Sequence, residues 1–207
     1  MKIKICGMKF TNNIAEVGDL QPDFMGFIFY PKSKRFVGNF SLEYIQNLSK
    51  SIKKVGVFVN ESPEVILEKV NNFQLDIVQL HGNESVADCQ FLKENNIEII
   101  KVFSIDENFD FNIVKSYELV CDYFLFDTKT PDFGGSGKMF NWQLLENYTL
   151  NKPFFLSGGL NVASIEKIKE LNYPMLVGLD FNSQLEDKDF KKNISKVTEV
   201  ILETRKI

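Results

Sequence analysis

The stretch FLFDTKTPDFGGSGKMFNW, residues 124–142, decides how the chain is read. Phe124, Leu125 and Phe126 form a short apolar run that ends on Asp127, and a polar loop carrying three glycines follows. Phe140 and Trp142 then open a helical pattern. An apolar strand that ends on a carboxylate and runs into a glycine-bearing loop fits a strand end facing a ligand, with loop 128–138 as a lid that excludes water. Taken alone, Asp127 could equally be a turn-forming residue. The rest of the chain settles which.

The same unit, a short apolar run, a polar loop and an amphipathic segment, recurs along the sequence. The apolar runs are KIKIC (2–6), FMGFIF (24–29), KVGVFV (54–59), DIVQL (76–80), EIIKVF (98–103), and segments 122–126, 153–156 and 175–179. Thr11 is read as the cap of a helix reaching residue 20, and Ser41 as the cap of LEYIQNLSK (42–50). Ser62-Pro63 places an N-cap before a proline at the first helical position. Further helices are expected over 84–95, near Asn141, from Val162 and from Asp189, while the stretch after the fifth run is weakly patterned. Strands apolar on both faces call for a parallel sheet buried all round, and eight such units close most simply as a (β/α)8 barrel. The expectation is one domain over 1–207. The rival, a doubly wound open sheet, would carry a glycine fingerprint after its first strand, and Cys6-Gly7-Met8-Lys9 is not one.

Composition narrows the class. The apolar fraction of 44% and charged fraction of 25% are those of an ordinary globular chain, and 20 phenylalanines imply a core built on rings. A net charge of −4 argues against nucleic-acid or membrane-surface partners, so an anionic ligand must be held by local donors. The three cysteines, Cys6, Cys89 and Cys121, are odd in number and form no CxxC pair, which fits a reducing compartment and speaks against a thiolate metal site. No apolar run approaches a membrane span, and the N-terminus lacks a signal-like core, so the expected location is cytoplasmic.

In a (β/α)8 barrel, function gathers at the C-terminal strand ends. Those ends carry Cys6, Arg35, Asn60, His81, Asp127, Ser157-Gly158-Gly159 and Asp180-Phe181-Asn182-Ser183. The last two loops are where barrels often hold phosphate: Gly158 and Gly159 let backbone N–H groups approach, and Asn182 and Ser183 add donors. GGSGK is not a P-loop, because its first glycine would fall on Asp132 and Met139 replaces the Ser/Thr. Cys6 and Asp127 form the one evident acid–base pair. A thiol that titrates near ~8.5 serves as a base if neighbours lower its pKa, and a carboxylic acid donates near neutrality if burial raises its own. Arg35 could clamp a carboxylate in bidentate fashion, against the plainer reading of a solvated loop charge. His81, the single histidine, is either a substrate contact or a structural hydrogen-bonder, the second being preferred. Cys89, within a helix, and Cys121, before a strand, read as structural.

Taken together, KICGMK, GFIFYPKSKRFV, KVGVFVNE, VQLHGNE, LFDTKTPDFGGSGKMFNW and LSGGLN resemble the phosphoribosylanthranilate isomerase family of tryptophan biosynthesis, in order and over nearly the whole chain. The resemblance implies a (β/α)8 barrel that performs an Amadori rearrangement with no metal or organic cofactor. Its substrate is a small phosphorylated aminosugar, N-(5-phosphoribosyl)anthranilate, and relatives are monomers or homodimers. It implies Cys6 as general base and Asp127 as general acid, and Arg35 on the anthranilate carboxylate. It also implies Gly158, Gly159, Asn182 and Ser183 on the phosphate, and Asp180 on a sugar hydroxyl. One departure stands out. The family pattern Asp-x-Ser-Ser-Gly-Val-Glu is here Asp180-Phe181-Asn182-Ser183-Gln184-Leu185-Glu186, so Gln184 replaces a glycine beside the phosphate site. The alternatives are a histidine-pathway phosphosugar isomerase, whose usual pair is two aspartates, and a non-catalytic barrel that binds phosphorylated ligands.

Overall fold

Strands buried on both faces need a surface with no free edge, and the chain obtains it by closing a sheet on itself. The structure, a computed structural model, describes residues 1–38, 41–130 and 139–207. Eight parallel strands pair in chain order: β1 (Lys2–Ile5), β2 (Phe24–Ile28), β3 (Lys53–Phe58), β4 (Ile77–Leu80), β5 (Glu98–Ile105), β6 (Tyr123–Thr128), β7 (Phe154–Leu156) and β8 (Leu176–Phe181). The barrel closes where β8 returns to β1, with Lys4 opposite Asp180 and Ile5 opposite Phe181. All five residues of β2 are buried, as the apolar run requires.

Alternation along the strands divides the core in two. Phe24, Val55, Ile77, Ile100, Val102, Leu125 and Phe155, from β2 to β7, pack together inside the barrel. Their neighbours Met25, Phe27, Phe124, Phe126 and Phe154 face outward, into the larger cluster that takes in Ile14, Ile165 and Val197 of the helices. The phenylalanines work as expected. Phe126 meets Tyr148 at 5.3 Å and Phe154 at 5.1 Å in edge-on contacts, each worth about 0.5–1.5 kcal/mol beyond its buried area.

The helices are α1 (Thr11–Gly18), α2 (Pro63–Phe73), α3 (Val86–Glu94), α4 (Asn112–Lys115), α5 (Val162–Lys169) and α6 (Ile194–Thr204). Ser62 caps α2 by accepting from Val65 N–H at 3.4 Å, with Pro63 in the first turn, as the sequence implied. Five expectations are corrected. Thr11 is the first residue of α1, not its cap; Phe10 holds that place without a side-chain bond. Ser41 does cap, but only a 3-10 turn, Leu42–Tyr44. Over 41–50 only Ile45 is buried, so no apolar stripe exists to hold a longer helix against the barrel. Asn141 likewise caps a 3-10 helix, Trp142–Asn147. The helix expected from residue 84 begins at Val86 behind a Ser85–Asp88 capping box, which leaves Glu84 free to turn inward. The last helix starts behind Asn193 and not at Asp189, because residues 186–192 fold into a short hairpin. Of loop 128–138, read as a lid, residues 131–138 lie outside the described residues. Among the described residues no helix is long and apolar enough to cross a membrane.

Candidate active site

All nine residues singled out as site candidates line one cleft of about 730 Å³ at the C-terminal mouth: Cys6, Arg35, His81, Asp127, Gly158, Gly159, Asp180, Asn182 and Ser183. Asn60 does not line it. Its side chain instead accepts from Asn83 N–H at 2.6 Å, joining the loops after β3 and β4. Cys89 and Cys121 are free and buried, as read.

Cys6 leaves β1 just past Ile5, its N–H bonded to Phe181 O at 2.9 Å. Two residues earlier on the same face, Lys4 is fully buried and its ammonium meets Asp180 Oδ1 at 2.9 Å. Strand register makes this pair, since Lys4 and Asp180 are direct neighbours across β1 and β8. Gly26 of β2 makes room: a Cβ there would stand 2.6 Å from Cys6 Sγ and 3.2 Å from Lys4 Nζ. Burial alone would depress Lys4, but Asp180 and Cys6 beside it hold its pKa above the ordinary value, so it stays a cation. Burial pushes the Cys6 thiol up, and Lys4 pulls it part of the way back. The net direction is upward. The condition set out for a thiol base, neighbours that lower its pKa, is met by Lys4 in part, with desolvation the larger effect.

Asp127 is the penultimate residue of β6 and 8% exposed. Its Oδ1 accepts from the Thr128 N–H at 2.8 Å, and His81 Nε2 stands 3.4 Å from Oδ2. On its other side His81 Nδ1 is 3.2 Å from the Gln79 amide nitrogen. Gln79 and His81 are two apart on β4 and its end, so strand alternation aims both into the barrel mouth. His81 thus stands between the Gln79 amide and the candidate acid, and it also lines the cleft. The loop carrying it is pinned from behind. Glu84, 4% exposed, accepts from the Asn60 and Gly82 N–H groups and pairs with buried Lys101 at 3.0 Å.

Arg35 is no solvated charge. Glu186 takes its Nε and Nη2 edge in bidentate fashion, at 2.6 Å to each, and Lys192 meets Glu186 Oε1 at 2.6 Å. Two cations thus share one carboxylate, and of the three Arg35 lines the cleft. Lys192 is 1% exposed, and burial lowers its pKa to about 8 against the pull of Glu186. It also donates to Asn182 Oδ1 at 2.7 Å, fixing that side chain under the mouth. Across the cleft Gly158 adopts φ 93°, and a Cβ there would stand 2.9 Å from Thr128 N, closer than backbone allows. Gln184 lies within a 3-10 turn, Ser183–Leu185, without positive φ, so the backbone here does not require the glycine it replaces.

Lys4, Gln79, Glu186, Phe190 and Lys192 went unnoticed in the sequence. For Lys4 a signal existed: in KIKIC it shares a strand face with Cys6, and a lysine amid isoleucines that alternate to the other face points inward. Glu186 closes the quoted stretch 180–186, but its role did not show there, because Arg35 is 151 residues away in sequence.

Known proteins resemble this chain in sequence and in fold. The sequence model of N-(5'phosphoribosyl)anthranilate (PRA) isomerase matches residues 3–203. N-(5'-phosphoribosyl)anthranilate isomerase of Phocaeicola vulgatus is 45% identical over 90% of this chain and 89% of its own, and that of Parabacteroides distasonis is 43% identical over 97% and 92%. A crystal structure of phosphoribosyl anthranilate isomerase in complex with reduced 1-(o-carboxyphenylamino)-1-deoxyribulose 5-phosphate superposes with a TM-score of 0.83 at 30% identity, covering 100% of both chains. The chain belongs to the N-(5'-phosphoribosyl)anthranilate isomerase family.

Proposed function

We propose that in this isomerase Cys6 is the general base and Asp127 the general acid of the aldose-to-ketose rearrangement of N-(5'-phosphoribosyl)anthranilate. The supporting observation is that a thiol of β1 and a carboxyl group of β6, on well-separated strands of the barrel wall, open into one cleft. Asp127 gives its proton to the furanose ring oxygen, the C1′–O bond breaks, and the anthranilate nitrogen takes up the electron deficiency as a Schiff base. Cys6 thiolate then removes the C2′ proton, the electron pair moves into the C1′–C2′ bond, and the resulting enolamine tautomerises to the ketone. The substrate nitrogen is the electron sink. Each positioned proton transfer contributes about 10²–10⁴-fold.

The remaining residues orient. Arg35 takes the substrate carboxylate at the end of the guanidinium that Glu186 leaves open. Gly158 and Gly159 with Asn182 and Ser183 take the phosphate, and Asp180 a sugar hydroxyl. His81 holds Asp127 in place, and Lys4 stabilises the Cys6 thiolate once it forms. A phosphorylated carboxyphenylamino sugar bound to a relative of 30% identity fits the same division between a carboxylate end and a phosphate end.

The test is loss of phosphoribosylanthranilate fluorescence with purified protein. Cys6→Ser and Asp127→Asn should each lower kcat by at least about 10² while circular dichroism and Tm stay near the parent. Near-parental turnover in either variant would remove that residue from the mechanism.

A further inference from the structure

Arg35 owes its direction to more than Glu186. The chain from Glu186 to Lys192 folds back on itself: these two residues pair antiparallel, Lys191 O accepts from the Asp187 N–H at 2.9 Å, and Asp187 O accepts from the Phe190 N–H at 3.2 Å. A tight hairpin of this kind closes through a residue in the left-handed region, where glycine or asparagine sits without strain. Here that residue is Phe190, at φ 61°. A bulky aromatic side chain is a costly choice for such a backbone, and a strained residue kept at a site is a pointer to function. Its ring does not enter the core. It lines the cleft, with the Arg35 guanidinium carbon 5.4 Å from the ring centroid.

We infer that Phe190 is a positioning and specificity residue: its ring backs the Arg35 guanidinium and walls the cleft beside it, so that it sets affinity for a carboxylate borne on an aromatic ring. The inference rests on Arg35 as the carboxylate clamp. The donors of a planar guanidinium lie in its own plane, so a ring over its face leaves open the edges where a carboxylate must approach. Glu186 holds one edge of the guanidinium, and the Phe190 ring lies against it with its centroid 5.4 Å from the guanidinium carbon. The anthranilate ring, conjugated with its carboxylate, then extends along an apolar wall instead of into water. The Phe190 ring carries no group that transfers a proton, so its effect falls on binding and leaves the chemical step alone.

The experiment compares Arg35→Met, Phe190→Gly, Phe190→Asn and Phe190→Tyr with phosphoribosylanthranilate as substrate and inorganic phosphate as competitive inhibitor. Arg35→Met should raise KM. Phe190→Gly and Phe190→Asn should raise KM about three- to thirtyfold, with kcat within about twofold of the parent and the phosphate inhibition constant unmoved. Phe190→Tyr keeps the ring and should restore the parental KM. Unchanged KM in the glycine and asparagine variants, beside a raised KM in Arg35→Met, overturns the role of Phe190 and leaves the clamp standing. Unchanged KM in Arg35→Met overturns both. KM and the phosphate constant rising together while kcat falls would make Phe190 a scaffold residue and end the proposal. Asparagine tolerates the left-handed backbone, so that variant carries the test if the glycine variant folds poorly.

Discussion

Lys4 Nζ lies 2.9 Å from Asp180 Oδ1, both side chains buried, one residue layer beneath the Cys6 thiol. A buried pair of this kind contributes little beyond what two apolar residues would, yet removing one member leaves an uncompensated charge in the barrel. Lys4→Met should therefore cost about 3–5 kcal/mol in urea unfolding, and Lys4→Met combined with Asp180→Leu should recover much of it. A loss under about 1 kcal/mol in the single variant would show that the charge is already relieved by water or by protonation.

The raised thiol makes a prediction about pH. In the proposed mechanism Cys6 serves as base only as thiolate, and burial, outweighing Lys4, pushes its pKa above the ordinary thiol value. The thiolate fraction at neutral pH is therefore small and grows about tenfold per pH unit below the pKa. kcat/KM should climb with pH through neutrality and beyond the ordinary thiol value of about 8.5 before levelling. Alkylation of Cys6 by iodoacetamide should follow the same curve. A plateau reached below about pH 8 would mean that substrate or Lys4 controls the thiol more strongly than its burial does.

His81 offers a way to separate holding from reacting. Its Nε2 faces Asp127 Oδ2 at 3.4 Å and its Nδ1 faces the Gln79 amide at 3.2 Å, while Gln79 Oε1 is buried without a hydrogen-bond partner. Contacts of this length tighten to hydrogen bonds in the working complex, and one to a charged group is worth about 1.5–3 kcal/mol, about 10- to 100-fold in rate. His81→Gln should lower kcat by that much and leave KM for the phosphorylated substrate close to the parent. An equal fall in kcat/KM carried wholly by KM would move His81 from the acid to the substrate.

Gly158 tests the phosphate end. Its φ of 93° and the backbone nitrogen of Thr128, 2.9 Å from where a Cβ would sit, leave no room for alanine. Gly158→Ala should destabilise the fold by about 1–3 kcal/mol and raise both KM and the phosphate inhibition constant, with kcat affected less. Unchanged phosphate inhibition in a folded variant would place the phosphate elsewhere in the cleft.

What could be read from sequence followed from local rules. Apolar runs of strand length, each ending at a polar loop, are sufficient to imply eight parallel strands, because only closure buries both faces of every one. The strand-end rule then named Cys6, His81, Asp127, Gly158 and Asp180, and all five line the cleft. The helical segments after β2 and β6 were overread. A cap residue marks where a turn starts, but only packed apolar side chains carry it further, and there too few are buried.

The sequence by itself determined the barrel, the family and the identity of the groups at the mouth, since periodicity, turn chemistry and motif order are all local. Tertiary structure alone decided how those groups are tuned. Barrel closure sets Lys4 beside Asp180, and the hairpin before α6 brings Glu186 and Phe190 onto Arg35, across 151 residues for the Glu186 bond. The physical reason is that charge and burial act through space. A thiol's protonation and an arginine's direction depend on what folding places within a few ångströms, and no spacing along the chain encodes that distance.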